Sequence, residues 1–518
     1  MRLVIVGDTL LDRDVLGTVT RIAPDAPAPV LDEETAHERP GGAGLAALLA
    51  AAHGHEVALV TALAPDAAGA RLSELLTAAG IVVYALPLPG ATPEKIRMRA
   101  GGQVLLRLDR GGPPQPPGDA PDAVLDLLRD ATAILVSDYG RGVARHPALR
   151  AAIQESKAPV VWDPHPNGPP PVPDVRLVTP NESEARRLSG DAGHGSGLST
   201  AQRAGHTLRQ RWQAGAVVVT RGAEGAVLCQ GGPTPLVVPV PEASGGDTCG
   251  AGDAFATAAA VALADGALVS EAVGAAVDAA SRYVSGRYGV AAMPAADPAH
   301  GTGAHGAGGT RRGARGVNGA SGVAGANGAG GASGARGVGG ASGAGGAGDS
   351  GGSGGSGGAG GGFGDIERIG ADEAGRLAAE VHARGGTVVA TGGCFDLLHT
   401  GHLATLRAAR ALGDCLIVCL NSDDSVRRLK GEGRPLTRQD DRGRLLAALD
   451  CVDAVVVFDE PTPEPVLTWL RPDVWVKGGD YDTLPETEVV QRWGGQTVIV
   501  PYLDGRSTTK TIAEARRR

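Results

Sequence analysis

Two α/β domains joined by a glycine-rich linker are what this sequence predicts, on three observations. Residues 1–297 alternate short β-rich runs with alanine- and leucine-rich helical stretches. Residues 298–364 collapse in composition to glycine, alanine, serine and a few polar residues. From 365 to 518 the strand–helix alternation resumes. Such alternation argues for a largely parallel sheet covered by helices. A chain of 518 residues also exceeds one ordinary core, at roughly 100–200 residues per domain.

The elements follow in order. Met1-Arg2-Leu3-Val4-Ile5-Val6-Gly7-Asp8 is an apolar run too short for a signal peptide, and it reads as a first buried strand. Residues 57–60, 133–137, 160–162 and 216–220 read as further strands. Within 298–364 glycine recurs at every third position between Gly313 and Gly346, but no proline lies between Pro298 and Pro435. A collagen-like triple helix needs many prolines, so a disordered, flexible tether is expected instead. At about 65 residues it spans about 45 Å and should not fix the orientation of what it joins. Residues 371–384 then read as a helix and 387–391 as a strand ending in a Gly-Gly turn. Strands at 415–421, 454–458, 474–477 and 497–501 and a helix near 440–449 complete a smaller doubly wound domain. Its ligand crevice is expected at the carboxyl ends of the strands.

Composition narrows the function classes. Aromatics make up 3% and the formal net charge is −9, which argues against a nucleic-acid binder. The six cysteines form no CxxC pair or zinc-like spacing, so reduced thiols in a cytoplasmic protein are expected. No stretch of about 18 uncharged apolar residues suggests a membrane span.

Chemistry concentrates first in Gly245-Gly246-Asp247-Thr248-Cys249-Gly250-Ala251-Gly252-Asp253-Ala254-Phe255. A glycine turn running into an alanine-rich helix lets backbone N–H groups approach an anion, and the helix N-terminus adds partial positive charge. Gly250, Ala251 and Gly252 are the candidate anion hole for a transferring phosphoryl group, and Asp253 is the candidate general base. A tight glycine turn with an aspartate at a helix start is the plain structural alternative.

This stretch resembles the second signature of the ribokinase-like (PfkB-type) sugar kinase family. Further matches occur in the family's order over residues 1–297. Arg39-Pro40-Gly41-Gly42-Ala43-Gly44 resembles its sugar-binding segment, implying sugar contacts at Gly41 and Gly42 and at Asp8 and Asp12 after the first strand. Thr179-Pro180-Asn181-Glu182-Ser183-Glu184 carries its NxxE motif, implying that Asn181 and Glu184 organise Mg²⁺, through water, and the phosphates of ATP. Thr220-Arg221-Gly222 resembles its nucleotide-binding turn, which assigns Thr220 and Gly222 to ATP. One position departs from the pattern: Leu45 stands where asparagine is usual, and leucine cannot hydrogen-bond a sugar. Ala26-Pro27-Ala28-Pro29-Val30, Glu94-Lys95-Ile96-Arg97, Leu106-Arg107-Leu108-Asp109 and Ser137-Asp138-Tyr139-Gly140-Arg141-Gly142 are similar to the heptose 7-phosphate kinases within that family. Lys95, Arg97 and Arg107 supply cations suited to a sugar phosphate, with solvated surface charge as the competing reading.

In the smaller domain, Gly392-Gly393-Cys394-Phe395-Asp396-Leu397-Leu398-His399-Thr400-Gly401-His402 follows a strand. His399 and His402 are three apart at a helix start, so both face one way. Two imidazoles and a helix N-terminus can bind nucleotide phosphates and stabilise charge as pyrophosphate leaves. Half of a metal site is an alternative, which no HExxH or cysteine partner supports. The stretch resembles the HxGH motif of the cytidylyltransferase-like superfamily, and Gly393 and Phe395 go with it. Leu429-Lys430-Gly431-Glu432-Gly433-Arg434-Pro435, Val476-Lys477-Gly478-Gly479-Asp480-Tyr481 and Gly505-Arg506-Ser507-Thr508-Thr509 resemble its later nucleotide-binding segments. They assign Lys430, Lys477, Asp480, Arg506, Ser507 and Thr508 to the nucleotide. Asp423 and Asp424 read as a helix cap.

The domain is similar to the heptose 1-phosphate adenylyltransferases, and the order of the halves is that of the bifunctional heptose enzymes. The resemblance implies a ribokinase-like kinase that phosphorylates heptose 7-phosphate at C1 and a nucleotidyltransferase that makes ADP-heptose. ATP is the co-substrate of both, with Mg²⁺, and no nucleic acid or membrane partner is implied. The oligomer expected, if any, is a homodimer through the kinase half.

Overall fold

The computed structural model describes residues 2–191, 197–241, 246, 248–286, 368–479 and 484–501. The linker 298–364 lies outside them. In the first half the opening run is indeed a strand, Arg2–Gly7. Its apolar residues alternate sides. Leu3 and Ile5 pack into the cluster beneath one face of the sheet, and Val4 and Val6 into the cluster on the other. A strand buried on both faces needs a continuous apolar run, which is what the sequence supplies. Arg2–Gly7 lies between Glu56–Leu63 and Ala133–Ser137, parallel to both, and Val160–Asp163, Leu177–Val178 and Ala216–Thr220 extend the sheet in parallel. Ala226–Gln230 runs antiparallel at the far side.

A second sheet was not legible in the sequence. Pro29–Gly42, Thr9–Ile22, Glu94–Ala100 and Gln103–Arg110 form it, in that order. It carries Asp12, Gly41, Gly42, Lys95, Arg97 and Arg107. Its outer part leaves Ile22, Val104, Leu105 and Leu106 exposed.

In the second half five parallel strands are ordered Ala454–Phe458, Cys415–Asn421, Val388–Gly393, Val474–Gly478, Gln496–Val500. The first strand in sequence therefore sits in the middle, and the winding reverses between Val388–Gly393 and Val474–Gly478. A crevice opens at the carboxyl ends of strands at such a reversal. Gly393 and Lys477 stand there.

The halves do not keep separate sheets. The edge strand Leu236–Val238 meets Gln496–Val500 in parallel at Leu236 and Ile499. The Ile499 N–H donates to the Pro235 carbonyl (3.0 Å), and the Gln496 amide donates to Gln202 Oε1 (2.9 Å). Edge strands carry unpaired N–H and C=O groups, and each edge satisfies part of the other.

Candidate active sites

The kinase site forms where three elements converge. The helix Ala251–Ala264 starts from Gly250, whose φ of 95° lies in the left-handed region. A Cβ there would come within 2.6 Å of the Tyr283 hydroxyl and 2.7 Å of Leu45 Cδ2, so only glycine fits. The Ala251 N–H closes the turn onto the Thr248 carbonyl (3.1 Å) at the helix mouth. Gly250 and Gly252 flank it there. Asp253, in the first turn, is 4% exposed. Burial pushes its carboxyl up to about 7, against the pull of the Tyr139 hydroxyl and Lys95 and with the push of Asp12. The Tyr139 hydroxyl donates to both Asp253 oxygens (3.1 and 2.9 Å).

The second sheet brings cations to this mouth. Arg97 donates to Asp12 (3.0 Å) and approaches Cys249 Sγ (3.5 Å). Lys95 lies 5.1 Å from the centre of the Tyr139 ring, and burial lowers its pKa. Arg107 is half-exposed and paired with Asp109 (2.8 Å), so it contributes charge from the rim. Asp8, expected at the sugar, also orders the neighbouring loop. Its carboxylate accepts from the N–H groups of Tyr139 (3.2 Å), Arg141 (2.8 Å) and Val143 (3.0 Å) and thereby shapes that loop. Gly41 and Gly42 close the inner end of Pro29–Gly42, where a Cβ on Gly42 would reach the Asp8 carbonyl at 2.4 Å. Leu45 points into the core with Leu49, Ala254 and Ala279, beneath the Gly250 turn.

A cleft of about 180 Å³, lined chiefly by apolar groups, adjoins the helix mouth. Thr220 and Gly222 line it together with Thr248, Gly252, Phe255 and Val277. Asn181 and Glu184 form a reciprocal capping box on the helix Glu182–Ser189. That arrangement explains the NxxE spacing by helix capping. The Glu184 carboxylate still acts on Asp163, which burial, Asp253 and Glu184 together hold well above the usual carboxylate range.

The transferase site is built on the reversal point of the second half. His399 is the N-cap of the helix Thr400–Arg410, and His402 lies in its first turn. Their rings stack with centroids 3.9 Å apart, and Phe395 tilts against His402 at 5.3 Å. Phe395 itself has a φ of 45°. His402 Nδ1 is buried without a hydrogen-bond partner. Burial, His399 and Lys430 lower its pKa to about 4. Lys477 donates to the Gly392 carbonyl (3.2 Å). Asp480, Arg506, Ser507 and Thr508 lie outside the described residues.

Comparison with known proteins decides what these two sites belong to. A family model of pfkB family carbohydrate kinases matches residues 1–296, and a cytidylyltransferase-like model matches 390–502. The chain is 48% identical to the bifunctional protein HldE of Streptomyces coelicolor, over 99% of this chain and 96% of that one. It is 33% identical to the HldE of Alcanivorax borkumensis, over 99% and 97%. The chain belongs to the HldE family of bifunctional proteins. It is accordingly a sugar kinase and a nucleotidyltransferase of ADP-heptose biosynthesis, with ATP as substrate. The kinase half is also similar to an Arabidopsis thaliana ribokinase solved with ribose and ATP (24% identity, 54% of this chain and 92% of that one, TM-score 0.44).

Within this HldE-family chain several residues that shape the sites carry no motif signal of their own. Tyr139 lies within the Ser137–Gly142 motif with no chemical role evident from its neighbours, and only the fold brings it to Asp253. Asp396 accepts from the N–H groups of Leu436 (2.7 Å) and Thr437 (3.1 Å) and pairs with Arg434. Although burial raises its pKa, those bonds outweigh it and hold the carboxyl below its usual value. Arg442 is fully buried and donates to the carbonyls of Thr437 (2.9 Å), Asn421 (2.9 Å) and Cys394, tying the HxGH loop to the following segments. Ser422 is the cap of Asp423–Lys430, by accepting from the Ser425 N–H (3.0 Å). That corrects the reading of Asp423 and Asp424 as the cap: they occupy the first turn, and Asp423 pairs with Arg442. Among the described residues no cluster of three or more potential metal ligands occurs, and no helix is long and apolar enough to cross a membrane.

Proposed function

We propose that the first half phosphorylates D-glycero-β-D-manno-heptose 7-phosphate at C1, and that the second half converts heptose 1-phosphate and ATP to ADP-heptose and pyrophosphate. The observation that carries this reading is the buried Asp253 at the Gly250 helix mouth, under the charge of Lys95 and with Arg97 at the nearby Cys249. Asp253 takes the proton of the anomeric hydroxyl. The freed oxygen attacks the γ-phosphorus of ATP, ADP leaves, and the N–H groups at Gly250 and Gly252 receive the developing charge. Lys95, Arg97 and Arg107 meet the phosphate already on the sugar. Thr220, Gly222 and the apolar cleft beside them suit the nucleotide.

Mg²⁺ fits the donor set on this side. Asp253 and Glu184 both push the pKa of buried Asp163 up, a local excess of negative charge that favours a cation. Glu184 and Asn181 would hold it, through water and the ATP phosphates, and it would neutralise phosphate charge.

In the second half the oxygen of the sugar 1-phosphate attacks the α-phosphorus of ATP, and pyrophosphate departs. His399, His402 and Lys430 stabilise the charge, Lys477 lies at the crevice, and no covalent intermediate is needed. A 7-phosphate left by the first step has to be removed hydrolytically before the second, so direct handover between the sites is not expected.

The domain bounds taken are 1–297, 298–364 and 365–518, and the family matches over 1–296 and 390–502 support the existence of the first and third. ATP use and free cysteines support a cytoplasmic location. The exposed apolar face around Ile22, Val104 and Leu106 suits a homodimer through the kinase half. Leu106→Glu should then reduce the mass measured by light scattering from dimer to monomer. An unchanged mass would remove this face from the assembly.

The test of the substrate is ³¹P NMR of the protein with heptose 7-phosphate and MgATP. A new anomeric phosphate signal is expected. Its absence, from folded protein that binds ATP, would mean another sugar phosphate.

A further inference from the structure

Tyr139 lies in the loop after the strand Ala133–Ser137, and its backbone is pinned on both sides. Its own N–H and those of Arg141 and Val143 donate to Asp8, and the Gly140 N–H donates to Asp138 (2.8 Å). The ring is confined as well. A Cβ on Gly42 would stand 3.3 Å from it, and the Lys95 ammonium is 5.1 Å from its centre. Thus held, the phenol can point only a short way, and it points at Asp253. Its hydroxyl reaches both carboxylate oxygens (3.1 and 2.9 Å).

A carboxylate has about four lone-pair positions. A donor bridging both oxygens therefore fixes the plane of the group and leaves positions on each oxygen for a substrate hydroxyl. The same donor favours the charged form, because a hydrogen bond to a carboxylate stabilises the anion. Building on the reading of Asp253 as the base, we propose that Tyr139 is its positioning residue: the hydroxyl orients the Asp253 carboxylate and keeps it ionised to accept the sugar's proton. Tyr139 does not itself give up a proton. Burial, the Asp253 and Asp163 charges and the Asp253 hydrogen bond all push its pKa well above 10.

The groups around Asp253 set the sign of the effect. Tyr139 from its loop and Lys95 from Glu94–Ala100 favour the anion. Burial and Asp12 from Thr9–Ile22 oppose it, and Asp163 at the end of Val160–Asp163 shares the same pocket of negative charge. Without the hydroxyl the opposing influences gain, and the carboxyl titrates at higher pH. A base works only when ionised, so the acid limb of the kinase rate then moves to higher pH.

The experiment compares wild type, Tyr139→Phe and Asp253→Asn in the full chain, following kinase kcat and kcat/KM from acid to alkaline pH. Tyr139→Phe should move the acid limb up by about one pH unit and lower kcat near neutrality about fivefold, with recovery at alkaline pH and little change in KM. Transferase activity of the same preparation checks that the chain is folded. Site-specific 3-fluorotyrosine at position 139, a stronger donor of the same shape, should move the limb the other way. A uniform loss at every pH, with the limb in place, would make Tyr139 a packing residue and overturn the proposal. An unmoved limb for both substitutions overturns it too, while an inactive Asp253→Asn leaves the base assignment standing. A kinase-active Asp253→Asn removes the base, and the role of Tyr139 with it.

Discussion

Asp253→Asn should abolish sugar phosphorylation and leave adenylyl transfer at the wild-type rate. The amide keeps the size of the carboxyl and one oxygen for the Tyr139 hydroxyl, so the turn at Gly250 has no reason to move. What is lost is the capacity to take a proton. Positioned general bases contribute about 10²- to 10⁴-fold, and the kinase rate should fall by that much in a coupled assay of ADP release. The second half is the internal control, since its site is built from other strands and helices. The wild-type kinase carries the corresponding pH signature. A carboxyl raised to about 7 is protonated below that value, so the rate should climb as pH rises through 7 and level off above it. Asp138, raised by burial to about 7 as well, accepts from the Gly140 N–H of the Tyr139 loop. Its protonation weakens that bond, so it steepens the same limb in the same direction. Equal kinase rates for Asp253→Asn and wild type would remove Asp253 from the chemistry.

Much of this was legible in the sequence because the largely parallel sheet of the two halves is buried on both faces. Continuous apolar runs such as 133–137, 216–220, 415–421 and 454–458 match the observed strands end to end. Glycines that permit close backbone approach flagged Gly250 and Gly42 for the same steric reason the structure shows. What could not be read has long-range causes. The four-stranded sheet joins two segments far apart in sequence, 9–42 and 94–110, and its Glu94-Lys95-Ile96-Arg97 segment reads equally well as solvated surface. The Tyr139–Asp253 contact spans 114 residues, and nothing local distinguishes that tyrosine from a core aromatic. NxxE, read for its ligands, proved also to be a helix cap, because asparagine and glutamate three apart satisfy N-terminal amides whatever else they do. Buried Arg442 is legible only once the carbonyls of Cys394, Asn421 and Thr437 converge on it.

His402→Ala should remove adenylyl transfer and spare the kinase. His402 sits in the first turn of Thr400–Arg410, stacked on His399 and backed by Phe395, so its ring cannot turn out of the crevice without breaking both contacts. Burial and the neighbouring His399 and Lys430 charges depress its pKa to about 4, so in the empty site the imidazole is neutral at physiological pH. A neutral ring can donate one hydrogen bond to a phosphate oxygen. It also becomes a better cation once that phosphate brings negative charge, so ATP binding should raise its pKa and draw in a proton. Removing one preorganised donor to a developing anion costs about 10²- to 10³-fold in kcat, the loss expected in a pyrophosphate-release assay. The same depressed pKa has a stability consequence of definite sign. A group that binds its proton more weakly when folded contributes stability above its unfolded value of 6.5, and this is lost as pH falls toward 4. Wild type should therefore lose more stability than His402→Ala over that window, by thermal unfolding without nucleotide. ¹H–¹⁵N NMR of the imidazole, titrated with and without ATP, separates the two claims: an ordinary pKa in the empty enzyme would sink the first, and no rise on binding ATP would take His402 away from the phosphates.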